Sequence, residues 1–242
     1  MKLALSLLAG LLLSLASAAQ MPNINDLLKG SGITAPTGQG ASVDDKTGAA
    51  GLKEALAVGT ENAVKSLSKP DGYFANEAVK ILMPKNIQRV ADFARMAGYQ
   101  KQVDEFVLSM NRAAEAAAPQ AAKYFGDAIR AMTIEDVRGL LTGGETAATD
   151  FFRAKTEDKL YAAFKPVVAK KVGEVGATKA YTDMMGSFAK VPLGGKQSLD
   201  LEDYVTRKAL DGLFLTVAAE EKKIRTNPAA RTTDLLRKVF GR

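Results

Sequence analysis

The chain has 242 residues and a formal net charge of +6, and it contains neither Cys nor His. Those two absences exclude disulfides, thiol chemistry, Ser-His and Cys-His nucleophilic arrangements, and zinc sites built on His or Cys ligands. Asp, Glu, Lys, Arg, Tyr, Ser and Thr are left to carry any chemistry.

Met1 and Lys2 make a short basic start, and Leu3 to Leu15 is an apolar run diluted only by small residues, too short to span a membrane. Ala16, Ser17 and Ala18 close it with the small side chains a signal peptidase reads, which predicts a secretory leader over residues 1–19, cleaved after Ala18 or Ala19. Lys2 is the only charge it carries, so the mature chain keeps a formal charge of +5. No later segment reaches the ~18 to 20 uninterrupted apolar residues of a membrane helix, so a soluble, exported protein is expected. Acidic and basic residues are interleaved along most of the predicted helices, and Lys170-Lys171 and Lys222-Lys223 are isolated doublets. That pattern reads as solvated faces and gives no nucleic-acid surface.

Residues 20–48 hold a short helical candidate, Ile24 to Lys29, and then a Gly, Ser, Thr and Pro mixture with little periodicity, which reads as a linker. An all-α domain is expected over residues 49–242. Leu52, Leu56, Gly59 or Ala63, and Leu67 recur at helical spacing and stop before the turn sequence Lys69-Pro70-Asp71-Gly72. Helices follow over 85–97, over 100–118 and from Pro119. The next opens at Thr133-Ile134-Glu135-Asp136, where a hydroxyl cap precedes first-turn carboxylates, and stops at Gly143-Gly144. The segment from Glu145 begins another helix, Thr156 is placed to cap a further one, and Pro166 should kink it. A short helix over 177–189, a loop at Val191 to Gly195, a long helix from Leu201 to about Thr226 and a last one from Pro228 to Phe240 complete a single bundle of about eight to ten helices. Leu210 to Ala219 is apolar nearly all round and marks the most buried helix.

Two places invite a functional reading. At Gly143-Gly144-Glu145-Thr146 the glycines permit a tight turn whose free N–H groups, at a helix start, could bind an anion; the plainer reading makes Gly143 a C-cap, Thr146 an N-cap, and Phe151 and Phe152 inward packing. Glu221 falls on the apolar stripe of the long helix, where a carboxylate is either a tuned acid or ligand contact, or the partner of Arg225 one turn on. Asn111 and Arg112 interrupt an Ala-rich helix and read chiefly as polar contacts between helices, with Arg112 kept as a candidate ligand residue. The carboxylate doublets Asp104-Glu105, Glu157-Asp158, Glu202-Asp203 and Glu220-Glu221 do not face each other as an acid and base would, since neighbours on a helix point about 100° apart. No calcium loop, phosphate loop or cofactor motif is present, so neither metal nor cofactor is expected.

Gly51-Leu-Lys-Glu-Ala-Leu56, Met110-Asn-Arg-Ala-Ala-Glu-Ala, Leu140-Leu-Thr-Gly-Gly-Glu-Thr-Ala-Ala-Thr-Asp-Phe-Phe-Arg153 and Ala209-Leu-Asp-Gly-Leu-Phe214 together resemble the exported bacterial domain-of-unknown-function family 4197 (DUF4197) over about Ala49 to Phe240. The resemblance implies a helical protein of the Gram-negative periplasm and carries no mechanism. With it, the residues point to a non-catalytic binding or interaction module for an apolar or amphiphilic ligand or an envelope protein. A hydrolase or lyase built on carboxylates or lysine, and a purely structural envelope protein, are the alternatives.

Overall fold

The computed structural model describes residues 45–85, 87–174 and 200–227. Every regular element among them is helical: α1 (Asp45–Ser68), α2 (Gln88–Met96), α3 (Gln100–Ala117), a 3-10 turn (Ala118–Gln120), α4 (Ala121–Ala131), α5 (Ile134–Thr142), α6 (Ala147–Glu174) and α7 (Leu201–Thr226). The leader and the expected helices at 177–189 and 228–240 lie outside the described residues. No helix among those described is long and apolar enough to cross a membrane.

Several boundaries differ from the expected ones: α2 begins at Gln88 rather than at residue 85, α6 begins at Ala147 rather than at Glu145, and three other differences have local causes. Helix α1 begins at Asp45, inside the segment read as linker, because a helical turn can form ahead of its first core residue, Leu52. Pro119 opens only the 3-10 turn, and α4 proper starts two residues later. Thr156 caps nothing: α6 runs unbroken through it, and the buried Thr156 hydroxyl donates to the Phe152 carbonyl one turn back at 2.6 Å. A Thr satisfied within its own helix competes less for a cap than its sequence context suggests. Pro166 lies inside the same helix, where its ring nitrogen has no hydrogen to donate.

The core is built where the 3.6-residue period predicts. Helix α7 buries Leu201, Val205, Ala209, Leu210, Leu213, Phe214 and Val217 and packs against α1, α3 and α6. Phe125, Phe152 and Phe214 meet at the centre, with ring centroids 5.1 Å apart for Phe125–Phe152 and 6.2 Å for Phe125–Phe214, in the tilted and edge-on geometries that ring quadrupoles favour. Tyr73 is fully buried and donates its hydroxyl to the Ala209 carbonyl of α7 at 2.8 Å. Burial pushes its ionisation well above the ordinary tyrosine value. The ring lies so close to α7 that a Cβ on Gly212 would stand 2.8 Å from Tyr73 Cε1 and 3.1 Å from Val79 Cβ. Gly212 is therefore the residue that lets Tyr73 lie against α7.

Candidate functional site

The sequence candidates assemble first. The α5–α6 turn contains Gly143 to Thr146, and its start is made tight by Gly143, where a Cβ would meet Ala147 Cβ at 2.6 Å and the Gly139 carbonyl at 2.8 Å. Gly143 is the C-cap of α5, in an extended conformation. The free N–H groups beyond it are filled from within the protein. Glu221 Oε1 accepts from the Ala148 N–H at 3.0 Å, and Oε2 accepts from the Thr149 N–H at 2.9 Å and the Thr149 hydroxyl at 2.8 Å. Arg225 donates Nε and Nη2 to Glu221 Oε1 at 3.0 and 2.8 Å, and Nη2 reaches the Leu140 carbonyl at 3.0 Å. The carboxylate thus sits at the positive end of α6 and the guanidinium at the negative end of α5, each where the helix dipole favours it.

This internal pair takes over the capping expected of Thr146, whose hydroxyl donates instead to Asp150 at 3.2 Å. Glu145 is exposed, 4.0 Å from Lys222, and nothing crowds Gly144. Glu221 itself is 7% exposed, and the space left beside it is about 20 Å³, room for a single water. Phe152 packs inward as expected, whereas Phe151 is half-buried.

Arg112 belongs to a second assembly of the same design, and its partner Glu115 was not singled out from the sequence. Glu115 is 4% exposed; its Oε1 accepts from the consecutive N–H groups of Tyr73 and Phe74 at 3.1 and 3.2 Å. Arg112 donates to Glu115 Oε2 and to Asp71 Oδ1, both at 2.7 Å. The bond to Glu115 is the main reason the guanidinium holds its proton more firmly than usual. Asp71 is in the left-handed region, φ 66°, so the clamp stabilises a turn conformation its own backbone disfavours. Next to it Asn111 exchanges two hydrogen bonds with the Ile81 backbone, at 2.8 and 2.9 Å. Asn111 and Arg112 therefore hold irregular backbone after α1 in place, where contacts between helices were expected.

A cleft of about 460 Å³ opens between α4, α5 and α6. Its apolar wall is Tyr124, Ala128, Ala131 and Phe151; its polar lining is Lys123, Asp127, Asp136, Lys155, Thr156 and Lys159. None of the three lysines is in an ion pair among the described residues. Both carboxylates are already engaged. Asp127 pairs with Arg130 on its own helix, and Asp136 closes a capping box with Thr133, accepting from its N–H and hydroxyl at 2.8 Å each. Those bonds, backbone first, hold the Asp136 carboxyl below the usual range. One sequence signal marked the cleft: Phe151, Lys155 and Lys159 form a stripe at i, i+4, i+8, and its like-charged pair is mildly unfavourable unless something outside the helix uses it.

Among the described residues no three His, Cys, Asp or Glu side chains are grouped to hold a metal ion. Fold and site together define an all-helical bundle whose buried acids are consumed as internal caps and whose open cleft is lined by unpaired lysines. The chain belongs to the family described as "Protein of unknown function (DUF4197)", whose profile matches residues 42–241. No curated protein and no solved structure matches it.

Proposed function

We propose that this is an exported, periplasmic, non-catalytic module that binds an apolar or amphiphilic ligand in the cleft between α4, α5 and α6. The observation that carries the reading is the cleft itself: its ~460 Å³ falls within the range of about 300–1,000 Å³ typical of small-molecule sites, and it joins two aromatic side chains to polar groups at its edge. The Gly143 to Thr146 turn and Glu221 are poorer places for a ligand, because the protein's own carboxylate fills the anion position there. Chemistry in the cleft is disfavoured by the state of its groups. Asp136 stays ionised at neutral pH and has no proton to give, and the lysines are exposed to water. Export rests on the leader, and the helices expected at 177–189 and 228–240 would bring the bundle into the range of about eight to ten.

Native mass spectrometry of the chain purified from its own periplasm tests the reading. A first residue of Ala19 or Gln20 and a bound small-molecule mass are expected. Ala128→Trp, which fills the cleft from its half-buried wall, should lose that mass while remaining folded. Retention of the same ligand by Ala128→Trp would move the site elsewhere.

A further inference from the structure

We infer that the ligand of this cleft is anionic: an apolar acyl or aryl body with a carboxylate or phosphate headgroup that Lys123, Lys155 and Lys159 receive together. This rests on the cleft being a ligand site, and adds the charge and class of what enters it.

Three observations carry it. The lysines come from two helices, Lys123 from α4 and Lys155 and Lys159 from α6, and line one cleft without a carboxylate partner among the described residues. Elsewhere Arg95, Arg112, Arg153, Lys171, Arg207, Lys208, Lys223 and Arg225 each lie against an acid, and the cations without an ion pair among the described residues, such as Lys53, Lys65 and Lys69, line no common cleft. The two acids in the cleft are bonded elsewhere, Asp127 to Arg130 and Asp136 to the start of α5; Asp136 feels the charge of Lys155 but forms no ion pair with it. Lys155 and Lys159 also stand one turn apart on one face of α6, so each raises the local potential felt by the other. A single negative headgroup between them relieves that repulsion.

The apolar part is equally specified. Lys155 Nζ lies 5.8 Å from the centre of the Phe151 ring, and Lys123 Nζ lies 5.2 Å from that of Tyr124. Each ammonium therefore rests beside an aromatic face, leaving charge at the rim and ring surface below it. An apolar molecule alone would draw no attraction from the three ammonium groups at the mouth, and a small inorganic anion would leave the rings bare. A molecule with both parts satisfies both.

The chain has no Trp, so Ala131→Trp, at an exposed position on the cleft wall, supplies a single fluorescent reporter. The purified protein is titrated with dodecanoate, dodecanol and inorganic phosphate, and separately with vesicles containing anionic phospholipid. Dodecanoate should bind at least ~10-fold more tightly than dodecanol or phosphate, and lose that margin in Lys123→Gln/Lys155→Gln/Lys159→Gln or at high salt. Circular dichroism checks that the triple variant is folded. Response to vesicles and not to monomeric dodecanoate, if lost in the triple variant, assigns the headgroup to a bilayer lipid and sustains the inference. Equal affinity for dodecanol and dodecanoate, with Ala128→Trp blocking both, overturns the charge assignment and leaves the ligand site standing. Silence towards dodecanoate, dodecanol and vesicles overturns both.

Discussion

Charge is handled in opposite ways at two places in this bundle. At the α5–α6 turn, Glu221 is buried, Arg225 is half-buried and both oxygens of the carboxylate are occupied; at the α4–α5–α6 cleft, three lysines face water without an ion pair among the described residues, beside two acids that are bonded elsewhere. A buried charge is tolerated only when paired and hydrogen-bonded, so the first arrangement is what folding requires. Exposed lysines are stable in water without partners, so folding neither needs nor explains their gathering around an aromatic wall. The buried acid, the more conspicuous feature, is therefore the structural one, and the ordinary-looking lysines are the better candidates for recognition.

The largest effect should come from Glu221→Ala. It strands two backbone N–H groups at the start of α6 and leaves the Arg225 guanidinium, 17% exposed, without its carboxylate. Loss of one member of a buried pair costs about 3–5 kcal/mol, read as a lower midpoint in chemical denaturation. A loss under about 1 kcal/mol would break the assignment of this pair to folding. Glu115→Ala should follow at about 2–3 kcal/mol. It frees the Tyr73 and Phe74 N–H groups, yet Arg112, 35% exposed, keeps Asp71 and can turn to water. Ligand affinity at the cleft should be unchanged in whatever fraction of either variant is folded.

A smaller effect, sensitive to pH, belongs to the α5 cap at the edge of the cleft. Thr133→Ala removes the hydroxyl that receives the Asp136 N–H and should cost about 1 kcal/mol at neutral pH. Asp136 has a folded-state carboxyl pKa below its unfolded value, so its contribution is fully present above the unfolded value, near pH 4, and is lost as pH falls through the lower folded value. Asp136→Asn should flatten that acid limb of the stability profile. An unchanged limb would mean that other carboxylates, such as Asp203 with its bonds from Tyr161 and Arg207, dominate it.

Sequence reasoning reached the fold because helical periodicity and punctuation are local. The stripe Leu210, Leu213, Phe214 and Val217 is buried as its spacing requires, the Thr133 cap forms, and α7 ends at Thr226. The partnership of Glu221 and Arg225 was legible at i+4. What that pair holds was not, since Ala148 and Leu140 lie more than seventy positions away and only packing of α7 against the turn brings them together. Gly143-Gly144 and Glu221 therefore read as two separate sites when they are two halves of one. Glu115 passed unnoticed because it sits in an Ala-rich run, where an acid looks like a helix former. The cleft depends on α4 and α6 meeting, so Lys123 had nothing to connect it with Lys155.

The smallest change in stability should come from Lys155→Gln, and its sign is informative. A like-charged neighbour one turn away costs a few tenths of a kcal/mol, ~0.2–0.5, and against it Lys155 has no ion pair to lose, only a 5.8 Å approach to the Phe151 ring and a solvent-screened attraction to Asp136. Removing it should leave stability unchanged or raise it by that amount, while weakening dodecanoate binding several-fold. A substitution that relieves the folded state and harms recognition is the mark of a residue kept for its ligand, because nothing in folding would retain it. If Lys155→Gln destabilises by more than about 0.5 kcal/mol, the lysine serves the fold after all, and the contrast between the buried clamp and the open cleft loses its meaning.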